Sequence, residues 1–153
     1  MNVKKIGLVS MLLAGVLALS GLPAASQAAG SAPTGAAADK KEHVILHVDE
    51  NDPKVWNLAL NNVKNLQAAL GKDKVDIEVV VYGPGINMLK LDSEVGNRVN
   101  DTIAAGVPVV ACQNTMKGMK LTKDDMLPTI GYVPGGVVEI MKKQTEGWAY
   151  VKP

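Results

Sequence analysis

The chain predicts an α/β fold: a single-domain, three-layer sandwich built on a five-stranded, mainly parallel sheet. Three observations lead there. From His43 onward strand-like and helix-like segments alternate, and each parallel strand connection needs a crossover that returns over the sheet. The first three strand segments are nearly continuous apolar runs, as strands covered on both faces are. Aromatic residues make up 3% of the chain and Phe is missing altogether, so the core must be packed from Val, Leu, Ile and Met.

The elements follow in order. Val44-Ile45-Leu46-His47-Val48 is a β-branched apolar run, ended by the turn and cap residues Asp49-Glu50-Asn51-Asp52-Pro53. A helix comes next, with Trp56, Leu60, Val63, Leu66 and Leu70 at spacings of three and four, Pro53 or Lys54 in its first turn and Gly71 at its stop. Val75 to Tyr82 is the second strand, broken by Gly83-Pro84-Gly85. Ile86 to Leu91 fits a short helical turn, and Ser93 to Ala105 a helix with Val95, Val99 and Ile103 as its inward stripe. Val107 to Ala111 is the third strand. Thr122-Lys123-Asp124-Asp125 resembles a capping box with Asp in place of the usual Glu. Ile130 to Val133 makes a fourth strand, Gly136 to Gln144 a last helix with Val137, Ile140 and Met141 facing inward, and Trp148 to Val151 a fifth strand. We find no internal repeat of the kind that builds a solenoid.

The first residues point to export. Lys4 and Lys5 precede an apolar run from Ile6 to Leu22, followed by Pro23 and the small residues Ala24, Ala25, Ser26, Ala28 and Ala29, the layout of a secretory signal peptide. A retained anchor is the rival reading, and the run is short for a membrane span of about 20 residues. We therefore expect residues 1–28 to be a cleaved signal, 29–41 a flexible linker without large apolar side chains, and 42–153 the folded domain. The expected location is periplasmic or secreted, without stable membrane insertion. Cleavage leaves fourteen basic and fifteen acidic residues, so no basic patch recommends a nucleic-acid partner.

In a parallel α/β sheet the carboxyl ends of the strands open into the ligand crevice. Here they deliver Asp49, Glu50, Asn51 and Asp52 from the first strand, Tyr82, Gly83 and Gly85 from the second, and Cys112, Gln113, Asn114 and Thr115 from the third. Cys112 is the chain's one cysteine, so it is buried, reactive, or paired with another chain. A helix beginning just after it would favour the thiolate; the alternative is a small apolar residue packed in the core.

Other constellations carry less. His43 and His47 share a strand face, but His47 falls within an apolar run and reads as a hydrogen-bonded core residue. Two imidazoles and one thiol make a poor metal set, so no metal site is expected. The Asp49, Glu50, Asp52 group is read as helix caps rather than a cation site. Gly83-Pro84-Gly85 lacks the lysine and the third glycine of nucleotide-binding loops, and no cofactor is expected.

Several stretches together, His47-Val48-Asp49-Glu50, Leu60-Asn61-Asn62, Tyr82-Gly83-Pro84-Gly85-Ile86, Gly106 through Met116, Val133-Pro134-Gly135-Gly136-Val137 and Gln144 through Tyr150, closely resemble the DsrE/DsrF-like family linked to intracellular sulfur oxidation. The resemblance covers about His43 to Pro153. It implies a five-stranded parallel α/β domain that assembles into homotrimers or homohexamers, and a cysteine at the end of the third strand that carries sulfur as a persulfide. Cys112 occupies the matching place. Two functions stay open. One is thiol or persulfide chemistry with Cys112 as nucleophile, Asn114 and Thr115 as neighbouring donors, and a small sulfur-containing ligand. The other is a non-catalytic oligomeric binding protein in which Asn62, Tyr82, Gly83 and Asn114 hold a small ligand or a neighbouring subunit. The adaptable methionine-rich stretch Met116, Met119, Met126 and Leu127 suits either a contact between subunits or the filling of irregular gaps in the core.

Overall fold

The computed structural model describes residues 40–153. The expected signal segment and nearly all of the linker lie outside the described residues. Five strands, β1 (Glu42–Val48), β2 (Val75–Val81), β3 (Val109–Cys112), β4 (Gly131–Val133) and β5 (Ala149–Val151), form one sheet in the order β4-β3-β2-β1-β5. Every pairing is parallel. The helices are α1 (Pro53–Leu70), α2 (Gly96–Ala104), α3 (Gln113–Gly118) and α4 (Gly136–Thr145), with short 3-10 turns at Lys72–Lys74, Gly83–Leu89 and Lys123–Asp125. The α/β class is as the sequence predicts.

Local chemistry sets the element ends. The Asp52 carboxylate accepts from the Lys54 N–H at 2.8 Å and Pro53 occupies the first turn of α1, which satisfies one orphan donor and spares another. Gly71 ends the helix at φ 94°, a conformation that a side chain resists. At Thr122 the capping box forms, with the Asp125 carboxylate accepting from the Thr122 N–H at 2.7 Å. Glycine is required for space at position 85, where an added Cβ would lie 2.7 Å from the Val48 carbonyl oxygen. That clearance lets the chain leaving β2 pass directly under the end of β1.

The two sheet faces are unequally covered. On one, α1, α2 and α3 with the adjoining turns bury Trp56, Leu60, Val63, Val99 and Met116 against Leu46, Val48, Val79 and Ala111, each large side chain contributing about 1.5–3 kcal/mol. On the other, Ile140 of α4 packs on Ile45, Val80 and Val110, with Tyr82, Val133 and Trp148 partly buried around them. The second helical layer is thus a single helix among the described residues.

One expectation about packing is overturned and one choice is made. In α4, Ile140 is buried, but Val137 and Met141 are 62% and 60% exposed. The inward stripe starts at Gly136, whose backbone lies so close to Tyr82 that an added Cβ would meet its ring carbon Cδ1 at 2.8 Å. A glycine carries no hydrophobic signal, so the apolar spacing alone orients the helix about one residue away from its true facing. In the methionine-rich stretch, Met116, Met126 and Leu127 belong to this chain's own core and only Met119 is exposed, at 44%. Unbranched methionines here fill gaps between irregular turns.

Candidate functional site

Cys112 closes β3 and caps α3, and its side chain is 6% exposed. Parallel β3 and β4 end side by side, with Cys112 paired to Val133, so the helices that follow them start at the same edge. The Asn114 N–H is tied to the Pro134 carbonyl at 3.2 Å, which draws the two starts together. Burial pushes the Cys112 thiol up, but the Thr115 hydroxyl, with the backbone N–H groups of Gly136 and Thr115, outweighs it and holds the thiol below its ordinary value.

The orientation of Thr115 is itself determined. The Gly83 N–H donates to Thr115 Oγ1 at 2.9 Å, so that oxygen acts as acceptor on one side and its own proton is left for Cys112. Gly83 reaches this position with φ 53°, in the left-handed region where glycine is at home. Thr115, Gly83 and Cys112 therefore form one unit drawn from two chain segments. Asn114 flanks the unit, its side-chain amide lying within 3.5 Å of the place a Gly135 Cβ would take. Gly85 serves beneath the end of β1, as backbone that makes room.

Beyond Tyr82 the same sheet face continues into a second polar group. The Tyr82 ring stacks on His47, with centroids 4.5 Å apart and planes 16° from parallel. His47 is 4% exposed, and its Nδ1 is hydrogen-bonded to the Tyr150 hydroxyl at 2.8 Å. This is the hydrogen-bonded core histidine expected from the sequence. Its Nε2 lies 3.5 Å from Asp49 Oδ2 and makes no hydrogen bond. Burial pulls His47 below its ordinary value, against the upward pull of Asp49, so it is neutral near pH 7. Lys152 Nζ sits 2.9 Å from Asp49 Oδ1 and 3.6 Å from Glu50 Oε1. Burial raises the Tyr82 phenol, as do the charges of Asp49, Tyr150 and Cys112, which places its hydroxyl in the field of both groups.

Asn62 does not join them. It lies on α1 in a shallow apolar groove with Leu66, Ala69, Leu70 and Val151, away from the residues around Cys112. Sequence reasoning missed Gly136, Tyr150 and Lys152. Gly135-Gly136 opening a helix straight after a strand was the available signal for the first. The other two belong to β5 and its continuation, and only the strand order places them beside β1.

Among the described residues no cluster of three or more His, Cys, Asp or Glu side chains is arranged to hold a metal. No described helix is long and apolar enough to cross a membrane.

A parallel five-stranded sheet with a donor-lined cysteine at the end of its third strand defines an α/β protein with a crevice-edge thiol. The particular family is set by comparison: residues 43–153 match the model of the DsrE/DsrF-like family, and the chain belongs to that family. Among solved structures it is similar to a protein of unknown function, MTH1491 from Methanobacterium thermoautotrophicum, with 41% identity, a TM-score of 0.71, and coverage of 74% of this chain and 100% of that one. Two more distant structures share the fold. A conserved protein of unknown function, BT1422 from Bacteroides thetaiotaomicron, has 14% identity and a TM-score of 0.61 over 73% of this chain and 95% of that one. The ychN protein from E. coli has 11% identity and a TM-score of 0.59 over 74% of this chain and 99% of that one. Among curated proteins no sequence matches.

Proposed function

We propose that Cys112 is a nucleophilic thiol that takes up sulfur as a persulfide, in an exported, self-associating member of the DsrE/DsrF-like family. One observation carries this reading: the thiol ends β3 at the edge where α3 and α4 both begin, and the polar groups of that edge, the Thr115 hydroxyl first among them, hold it below its ordinary value in spite of burial. A structural cysteine among aliphatic side chains would be driven the other way. In the step, Cys112 Sγ⁻ attacks the terminal sulfur of a small persulfide R–S–SH. The new Sγ–S bond forms as the donor's S–S bond breaks, leaving Cys112–S–SH and R–S⁻, which takes a proton from water. The same donors then stabilise the anionic form of the persulfide. The family's association with sulfur relay supports the choice of chemistry.

Export is supported by Lys4, Lys5 and the apolar run behind them. Self-association, as a homotrimer or homohexamer, is supported by the exposed Val137, Val138 and Met141 on α4, beside the thiol, rather than by the methionine-rich stretch. A second reading, non-catalytic binding, draws on the 6% exposure of Cys112. One experiment separates the two. The alkylation rate of folded protein against pH should show a midpoint below that of an ordinary thiol, and mass spectrometry after exposure to glutathione persulfide should show one added sulfur on Cys112. Labelling only after denaturation supports the binding protein.

A further inference from the structure

Three positions of α4 rest on β2, one after another. Gly136, Ile140 and Lys143 follow at spacings of four and three, the inward stripe of a helix. Glu78 and Val80 in β2 and Tyr82 just after it alternate along the strand, so all three share the face that α4 covers. Gly136 backs onto the Tyr82 ring, where an added Cβ would lie 2.8 Å from Cδ1. Ile140 packs with Val80, and Lys143 Nζ lies 3.3 Å from Glu78 Oε2. The helix therefore runs antiparallel along the strand, with the thiol's edge at one end and a charge pair at the other. Seven helical residues rise about 10 Å and four strand residues about 13 Å, a difference that the long Lys143 side chain spans.

The three contacts differ in what they fix. Apolar packing at Ile140 is non-directional, and a glycine backbone against a ring leaves the helix free to slide along its axis. A charge pair holds one distance. Glu78 is 8% exposed, its Oε1 makes no hydrogen bond, and Glu139 and Glu146 of α4 add like charge around it, so Lys143 is the cation that compensates its burial. The ammonium is held from a second side as well. It lies 4.2 Å from the centre of the Trp148 ring, and the Trp148 N–H donates to the Lys143 carbonyl at 3.0 Å. Val137, Val138 and Met141 face outward and do not anchor the helix.

We propose that Glu78 and Lys143 form a latch that sets the axial position of α4 and so places the Gly136 N–H against Cys112 Sγ. Both are positioning residues, which act on the thiol through two turns of helix. The Gly136 N–H is one of the donors at Cys112, and a shift of the helix by one residue, about 1.5 Å, withdraws it from hydrogen-bond reach. The inference rests on Cys112 as nucleophile and names what holds one of its donors in place.

The test separates a latch from a simple charge effect by sign. Removing a carboxylate eases ionisation of a thiol through charge alone, whereas loss of the latch withdraws a hydrogen bond from the thiolate and opposes it. In Glu78→Met the pH midpoint of iodoacetamide modification of Cys112 should therefore rise, with the rate at neutral pH about threefold below native. Lys143→Met should shift it the same way. Lys142→Met, which removes an exposed charge from the same helix, should leave it in place. A midpoint that falls or stays in Glu78→Met, or that moves as far in Lys142→Met, overturns the latch. Lys143→Met strands a buried carboxylate, while Glu78→Met leaves an ammonium that can turn to water, so the second variant decides if the first does not fold. The Gly136 amide proton reads the contact without the reaction. Its NMR resonance should move upfield in Glu78→Met as the hydrogen bond lengthens, and an unmoved resonance overturns the latch. If native protein resists alkylation at every pH, the nucleophile reading fails, and the Gly136 resonance still decides whether the latch places the helix.

Discussion

Thr115→Val is the sharpest perturbation of the thiol's surroundings, because it keeps the shape of the side chain and removes one oxygen. That oxygen accepts from the Gly83 N–H at 2.9 Å and presents its proton to Cys112. Two losses follow. Gly83 N–H is left without its acceptor, which costs about 1 kcal/mol, or roughly 5 °C in Tm for a domain of this size. The thiolate loses a hydrogen bond to a charged group, about 1.5 kcal/mol or more, so at neutral pH the thiolate fraction and the alkylation rate should fall about tenfold. The assay is iodoacetamide modification followed from pH 5 to 10, with Thr115→Ser as control. In Thr115→Val the rate curve should move to higher pH and meet the native curve at the alkaline end, and Thr115→Ser should restore the native position. An unchanged midpoint in Thr115→Val would refute the assignment of its hydroxyl as the donor, whatever happened to stability.

Two further predictions concern the scaffold. Gly85→Ala should destabilise by about 1–3 kcal/mol in urea unfolding, because its Cβ would lie 2.7 Å from the Val48 carbonyl oxygen and 3.0 Å from Asp49 Cα, whereas a Cβ at Gly118 meets nothing within 4 Å and Gly118→Ala should be neutral or stabilising; equal costs at the two sites would contradict the packing described. Glu78, buried between β2 and α4 with Lys143 Nζ 3.3 Å away, is pushed above its ordinary value by burial, against the opposing pull of Lys143. Its proton is held more tightly in the folded state, so the associated stability is complete below pH 4.5, its unfolded value, and is lost as pH rises through the folded value. Glu78→Gln should flatten that descent in urea midpoints measured across this range, and an unaltered slope would assign it to another group.

Much of the scaffold is legible in the residues because its signals are local. Asp52-Pro53 and Gly71 bracket α1 through capping and backbone conformation, Thr122 to Asp125 closes its own box, and the apolar runs of β1 to β3 mark strands covered on both sides. Cys112 stands out for the same reason, as a lone thiol between an apolar strand and polar residues. Orientation and neighbourhood are different in kind. Gly136 is silent in a hydrophobic pattern, so only packing on Tyr82 shows that α4 faces the sheet through Gly136 and Ile140 while Val137 and Met141 face outward. The methionines after α3 look like a surface stripe until the turns between β3 and β4 fold them inward.

The sequence by itself determined the class of fold, the family, the capped ends of α1 and the candidate thiol, because each depends on side-chain chemistry or spacing within one segment. Only the tertiary structure decided what surrounds that thiol. Thr115 is fixed by Gly83 from another crossover, the Gly136 N–H comes from a helix that starts 24 residues later in the chain, and Tyr150 and Lys152 meet His47 and Asp49 because β5 pairs with β1. A hydrogen bond acts over about 3 Å of space whatever the separation along the chain, so contacts of this kind exist only once the strand order has been set.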